Sequence, residues 1–242
     1  MIWWSHLSAL GGLNVTALLA LAIAAWLAGA HCWRLALAWC LLFGGALAVA
    51  AASQVAFLGW GAGVRALDFT GFSGHATRAA AVFPVALFLL TERQGRRRQE
   101  RRSAGRADGG PDRRREGWLR TTVLLGALLA AAVAVARVKV HAHSPSEAVA
   151  GCLLGLATAA LFIARCRAAR DRTPRPLLLG LLAATILLPR ADPVNSHQWL
   201  TVAALKLSGS DRVWLRQDWQ PARGPYVPPC APQKRRFDIL CT

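Results

Sequence analysis

Apolar positions in this chain run in long unbroken blocks, not at the spacing of a half-buried strand or surface helix. No charged side chain occurs from Leu7 to Ala30, nor from Leu35 to Gly61. A third block runs from Gly74 to Thr91, with Arg78 near its start and Pro84 inside. Leu119–Ala136, Ala148–Ala164 and the shorter, Leu-rich Pro176–Pro189 complete the set. Crossing a bilayer takes about 20 apolar residues, somewhat fewer when flanking groups snorkel. The pattern therefore predicts an all-α, polytopic membrane bundle of about six transmembrane helices. It would occupy residues 1–190 and be followed by a polar tail, 191–242. Ala28-Gly29-Ala30 looks like a small-residue cleavage site, but no positive residue precedes the long apolar run, so an uncleaved first helix is expected. In the tail, Trp199–Leu207 is apolar enough for a short surface helix.

Composition explains itself once the blocks are seen. Hydrophobic residues make up 55% of the 242, yet the net charge is +17, because apolar and basic residues are segregated. The arginines crowd into Glu92–Trp118 and into the stretch holding Arg165, Arg167, Arg170, Arg172 and Arg175. Both should face the cytoplasm by the positive-inside rule. The basic loop 92–118 lacks apolar periodicity and is expected to be without structure. No groove-reading or base-stacking motif accompanies the charge, so nucleic acid is not an expected partner. Cys32, Cys40, Cys152 and Cys166 lie in or beside apolar runs and read as small buried hydrophobes. Cys230 and Cys241 could pair if the tail faces an oxidising compartment.

This sidedness brings Trp60–Ser73, Arg137–Glu147 and everything after Arg190 to the extracytoplasmic face. Two of these segments carry chemistry. Ser73-Gly74-His75 stands at the start of a helix, where backbone N–H groups point outward and favour an anion. Gly74 allows close backbone approach, and an imidazole such as His75 titrates near neutral pH. In the second segment Ser144 suits an N-cap and Pro145 a first helical position. Glu147 then lies one turn in and can accept a hydrogen bond from one nitrogen of His143, leaving the other nucleophilic. The same residues also spell a capping box, in which Glu147 serves the Ser144 N–H. Arg137, at the end of the preceding helix, offers a bidentate fork to phosphate. Titratable groups at a membrane surface are costly and tend to be functional.

Arg137-x5-His143-x3-Glu147, running on into Ala148-Val149-Ala150-Gly151, resembles the third signature of the PAP2 (type 2 phosphatidic acid phosphatase) family. Ser73-Gly74-His75 resembles the core of its second signature, and the resemblance covers roughly Gln54–Leu161. It implies that His143 attacks phosphorus to give a phosphohistidine, that Glu147 orients it, and that His75 protonates the leaving alcohol. Arg137 and the Ser73–Gly74 backbone would hold the phosphate oxygens, and neither metal nor cofactor is expected. Phe72, Ala136 and Glu147 stand where the family usually has Pro, Ser and Asp. The first signature, K-x6-RP, is absent: no lysine lies upstream of His75, and Gln54 occupies the place where one would be looked for. Arg65 is the basic residue in the preceding loop and the candidate to replace part of that phosphate binding. The expected function is hydrolysis of a lipid phosphate monoester or diphosphate, in a bacterial inner membrane with the site facing the periplasm. The alternative is a PAP2-like protein that binds lipid phosphate or a membrane partner without turnover.

Overall fold

The computed structural model describes residues 2–103, 113–168 and 196–219, and these form helices without strands. In chain order they are α1 (Ile2–Leu10), α2 (Leu13–Gly29), α3 (Trp33–Trp60), α4 (Gly74–Ser103), α5 (Arg113–Lys139), α6 (Pro145–Ala168) and α7 (Ser196–Ser208). Short 3-10 turns lie at Arg65–Leu67 and Arg216–Trp219. Among the described residues, five candidate spans are long and apolar enough to cross a membrane: Trp3–Gly29, Trp33–Trp60, Gly74–Thr91, Glu116–Lys139 and Pro145–Ala168. The expected sixth, Pro176–Pro189, lies outside the described residues, as do Cys230 and Cys241.

α4 is the central helix. Ala76, Ala79, Ala80, Ala81, Val82 and Val85 are completely buried, so small side chains let neighbours close in from several sides. α6 approaches through Gly151 and Gly155, a small-xxx-small pair of the kind that draws membrane helices together. A Cβ on Gly155 would stand 2.3 Å from the Thr77 carbonyl oxygen, and one on Gly151 would stand 2.6 Å from that of Ser73. α5 approaches at Gly126, where a Cβ would lie 2.6 Å from Pro84 Cα. On the far side Trp39 of α3 stacks on Phe43 and tilts against Phe162, with centroids 5.2 and 5.0 Å away. Its indole N–H donates to the Ala20 carbonyl at 2.9 Å, tying α3 to α2.

Two expectations need correction. The first apolar run is not one helix, because Gly11 and Gly12 separate α1 from α2. Glycine is a poor helix former, and the Gly11 site has no room for a side chain: a Cβ would meet Val133 Cγ1 at 2.6 Å. The basic stretch 92–118 is not structureless throughout either. α4 continues to Ser103 and α5 begins at Arg113. Arg, Gln and Glu are good helix formers, and a helix already nucleated in its apolar part extends through them at little cost.

At one end of the bundle, Glu116 pairs with Arg120 and Arg167, each at 3.4 Å, and Arg167 lies over the Phe88 ring. The opposite end gathers α1, the loop 61–73, the α5–α6 turn and residues 211–219.

Candidate active site

The spacing between Arg137 and His143 is produced by the way α5 ends. His141 takes a left-handed conformation (φ 55°), and the N–H groups of Ala142 and His143 both turn back to the Arg137 carbonyl, at 3.1 and 3.3 Å. Ser144 and Pro145 then start α6 where the sequence places them, Ser144 Oγ accepting from the Glu147 N–H at 3.4 Å. Arg137 and His143 are thereby fixed to one short backbone turn. The close α4–α6 contact brings that turn against Ser73 and His75.

Glu147 is 0% exposed, and both its carboxylate oxygens are occupied. Oε1 accepts the Thr70 backbone N–H at 2.8 Å and the Thr70 hydroxyl. Oε2 accepts from His143 Nδ1 at 2.8 Å, from the Ser144 N–H at 3.2 Å and from Arg216 Nη2 at 2.6 Å. The capping-box reading and the orienting reading are thus both realised, by one carboxylate. A carboxylate accepts and does not donate, so the shared hydrogen sits on His143 Nδ1. In the neutral imidazole, Nε2 then carries the lone pair.

His75 has the opposite arrangement. Its Nδ1 lies 3.4 Å from Arg78 Nη2, and a guanidinium has no acceptor, so Nδ1 accepts and Nε2 carries the hydrogen. The partners assign the two imidazoles complementary tautomers, one lone pair and one N–H. Arg137, Arg78 and His143 all lie close enough to His75 to act on it electrostatically.

Two guanidiniums at this site have no carboxylate partner among the described residues. Arg78, 7% exposed, donates from Nη2 to the Gly11 carbonyl at 3.3 Å, and its Nε has no partner. Arg137 Nη1 donates to Ser8 Oγ at 3.0 Å, and its Nε is likewise unpartnered. The last turn of α1 and the break after it supply the two contacts, so the N-terminal segment belongs to the site. Arg78 was missed as a site residue, although a charge one helical turn after Ser73-Gly74-His75 was a readable signal. Gly74 leaves it room, for a Cβ there would stand 3.1 Å from Arg78 Nη1.

Other expected residues take different places. The Ser73 N–H donates to the Glu147 carbonyl at 3.1 Å, so it serves the α4–α6 contact, while the buried Ser73 hydroxyl has no partner. Gly74 opens α4. Gln54 does not replace the missing lysine: its Nε2 donates to the Phe72 carbonyl at 2.7 Å, and Ser53 Oγ accepts the Phe72 N–H at 3.0 Å. Together they hold the Phe72-Ser73-Gly74 backbone from α3. Arg65 lies exposed on its 3-10 turn, with no hydrogen bond or ion pair from its side chain among the described residues. No group of three metal-ligating side chains occurs among the described residues.

A multi-pass helical membrane protein, with two histidines, a buried arginine and a half-buried one at one end of its bundle, is the class that this geometry defines. The chain belongs to the PAP2 superfamily, whose sequence profile matches residues 48–171. It is similar to a Klebsiella pneumoniae protein described as an uncharacterized 22.5 kDa protein in the cps region, with 39% identity over 159 residues. That match covers 64% of this chain and 65% of the relative's length. No solved structure matches the chain.

Proposed function

We propose that the protein is a membrane phosphatase that removes phosphate from a lipid phosphate monoester or diphosphate at the extracytoplasmic face. The observation that carries this reading is the His143–Glu147 pair at 2.8 Å, set beside His75 and two guanidiniums, Arg78 buried and Arg137 half-buried, without carboxylates among the described residues. Burying a cation without a counter-charge is expensive, and a phosphate with its negative oxygens relieves the expense for both arginines together. The N-terminus of α4 adds outward N–H groups, and the unpartnered Ser73 hydroxyl adds a further donor.

In this mechanism His143 Nε2 attacks phosphorus while the bond from phosphorus to the leaving oxygen breaks. His75 Nε2 gives its proton to that oxygen, releasing the lipid alcohol, or the lipid monophosphate when a diphosphate is cleaved, and Arg78 and Arg137 balance the imidazolate left behind until it is reprotonated. The phosphoryl group is held on His143 through a P–N bond. A water molecule then attacks phosphorus, returns a proton to His75 Nε2, and the P–N bond breaks to free inorganic phosphate. Glu147 stabilises the charge that develops on the His143 ring, and Arg137 with Arg78 stabilises the phosphate oxygens. Arginine placement favours a site on the extracytoplasmic side of an inner membrane, facing the periplasm in a Gram-negative cell.

A second reading has its own support. The absent K-x6-RP and the engaged Gln54 favour a protein that holds lipid phosphate, or a membrane partner, without turnover. Phosphate release by the purified full-length protein separates the two, tested on phosphatidic acid, phosphatidylglycerol phosphate and a polyprenyl diphosphate. Release from one of these, abolished in His143→Ala and reduced at least about a hundredfold in His75→Ala, is the expected result. Release that survives His143→Ala sinks the mechanism, and no release from any lipid favours the binding protein.

A further inference from the structure

Arg78 and Arg137 lack carboxylate partners among the described residues, while a third guanidinium, Arg216, has two. Its Nη1 lies 2.7 Å from Asp68 Oδ2 and its Nη2 lies 2.6 Å from Glu147 Oε2. Arg216 stands in the tail, beyond the segment 48–171 that matches the family.

Its position is built and not incidental. α7 lies along α3, with Ala204 fully buried against Phe57 and Leu58. Gly59 leaves space for it, since a Cβ there would meet Ser208 Cβ at 3.3 Å. The chain leaves α7 through Gly209, whose φ of 64° suits a residue without a side chain. The Trp214 N–H then donates to the Leu58 carbonyl at 2.8 Å, and the Trp214 ring covers Gly61, where a Cβ would be 2.8 Å away. Trp219 packs edge-on against Phe57 with centroids 5.0 Å apart and fills the space over Gly63. The Leu215 N–H bonds to Asp218 Oδ2 at 2.8 Å. Two tryptophans thus clamp the turn carrying Arg216 onto the loop that carries Asp68 and Thr70.

We propose that Arg216 is a positioning residue of the active site, holding the Glu147 carboxylate in line with His143 Nδ1. The inference rests on the phosphatase reading above. Glu147 is one methylene longer than the aspartate usual in the family signature, and the extra torsion gives its carboxylate more positions to adopt. Thr70 fixes one oxygen, and Arg216 and Ser144 fix the other. Both terminal nitrogens of Arg216 meet carboxylates, so its charge is balanced within the protein. The tail therefore completes the site.

The test uses the full-length protein with Arg216→Ala and Arg216→Lys, measured for phosphate release and by proton NMR. Arg216→Ala is expected to lower kcat at least about tenfold with KM changed less than about twofold. Arg216→Lys, which can reach one carboxylate but not fork between two, restores part of that loss. In the wild type, the His143 Nδ1 hydrogen should give a downfield signal that His143→Ala removes, and Arg216→Ala should shift or abolish it. Loss of thermal stability alone, with kcat and this signal unchanged, would overturn the proposal. An unchanged signal refutes it even where no lipid on the panel is hydrolysed, whereas inactivity of the wild type counts against the phosphatase reading alone.

Discussion

Restoring the family's usual residue at position 147 should harm this protein. Glu147→Asp keeps the charge and withdraws the carboxylate by one carbon–carbon bond, about 1.5 Å. His143 Nδ1 and the Thr70 N–H each stand at 2.8 Å, and Arg216 Nη2 at 2.6 Å. Adding the lost length carries these contacts past hydrogen-bonding range, unless α6 moves toward its donors. It has no slack to do so. A Cβ on Gly151 would already stand 2.6 Å from the Ser73 carbonyl oxygen, and one on Gly155 would stand 2.3 Å from that of Thr77. Misplacing an orienting group by about 1 Å costs on the order of a hundredfold in rate, or about 2.7 kcal/mol. The measurement is kcat/KM for phosphate release by purified Glu147→Asp beside wild type, normalised to the folded fraction. Normalisation matters because stranding the half-buried Thr70 and buried Ser144 N–H groups costs up to about 1–3 kcal/mol each in stability. A Glu147→Asp protein as active as wild type, or more so, would refute the idea that Thr70, Arg216 and α6 are built around glutamate.

Two further substitutions probe the phosphate cradle and its scaffold. Arg78→Met removes a buried cation without a carboxylate partner, so the thermal midpoint of the phosphate-free protein should rise or hold, while KM rises at least about tenfold. A lower midpoint with unchanged KM would make Arg78 a structural residue instead. Gly155→Val drives a branched side chain into the Thr77 carbonyl and the Ala80 Cβ, and should cost about 3 kcal/mol or more in stability, read as a lower unfolding midpoint. An unchanged midpoint would show that α4 and α6 are not in tight contact there.

What could be read from the sequence was what depends on neighbours along the chain. The apolar blocks gave the described spans because crossing a bilayer demands length and little else. The start of α6 was legible because Ser144, Pro145 and Glu147 act within a single turn. Arg78 was visible as a charge in an apolar helix, but its role depends on Gly11 and Arg137, far off in sequence. The break at Gly11–Gly12 was hidden because hydropathy stays high on both sides of it. Arg216 left no local signal, since its contact with Asp68 spans 148 positions and follows no periodicity. Arg65 drew notice for its charge and its loop, and its exposed side chain makes no hydrogen bond or ion pair among the described residues.

The missing first signature looks different once the charges are placed. A site for a phosphate needs positive groups left without a counter-charge, and among the described residues Arg78 and Arg137 are such groups, steadied by neutral acceptors, the Gly11 carbonyl and the Ser8 hydroxyl. Those acceptors come from the end of α1 and the break after it, so rigidity is obtained without a carboxylate that would compete with the ligand. The nucleophile side needs the reverse: a carboxylate fixed firmly enough to orient an imidazole. Glu147 obtains that from Thr70, Ser144 and Arg216. The charges are therefore sorted into a half that awaits an anion and a half already balanced, with His75 and His143 where the halves meet. On this view the chain replaces the lost lysine and arginine-proline pair with an arginine inside α4. The segments that make the replacement workable, α1 and residues 211–219, lie outside the stretch that matches the family profile.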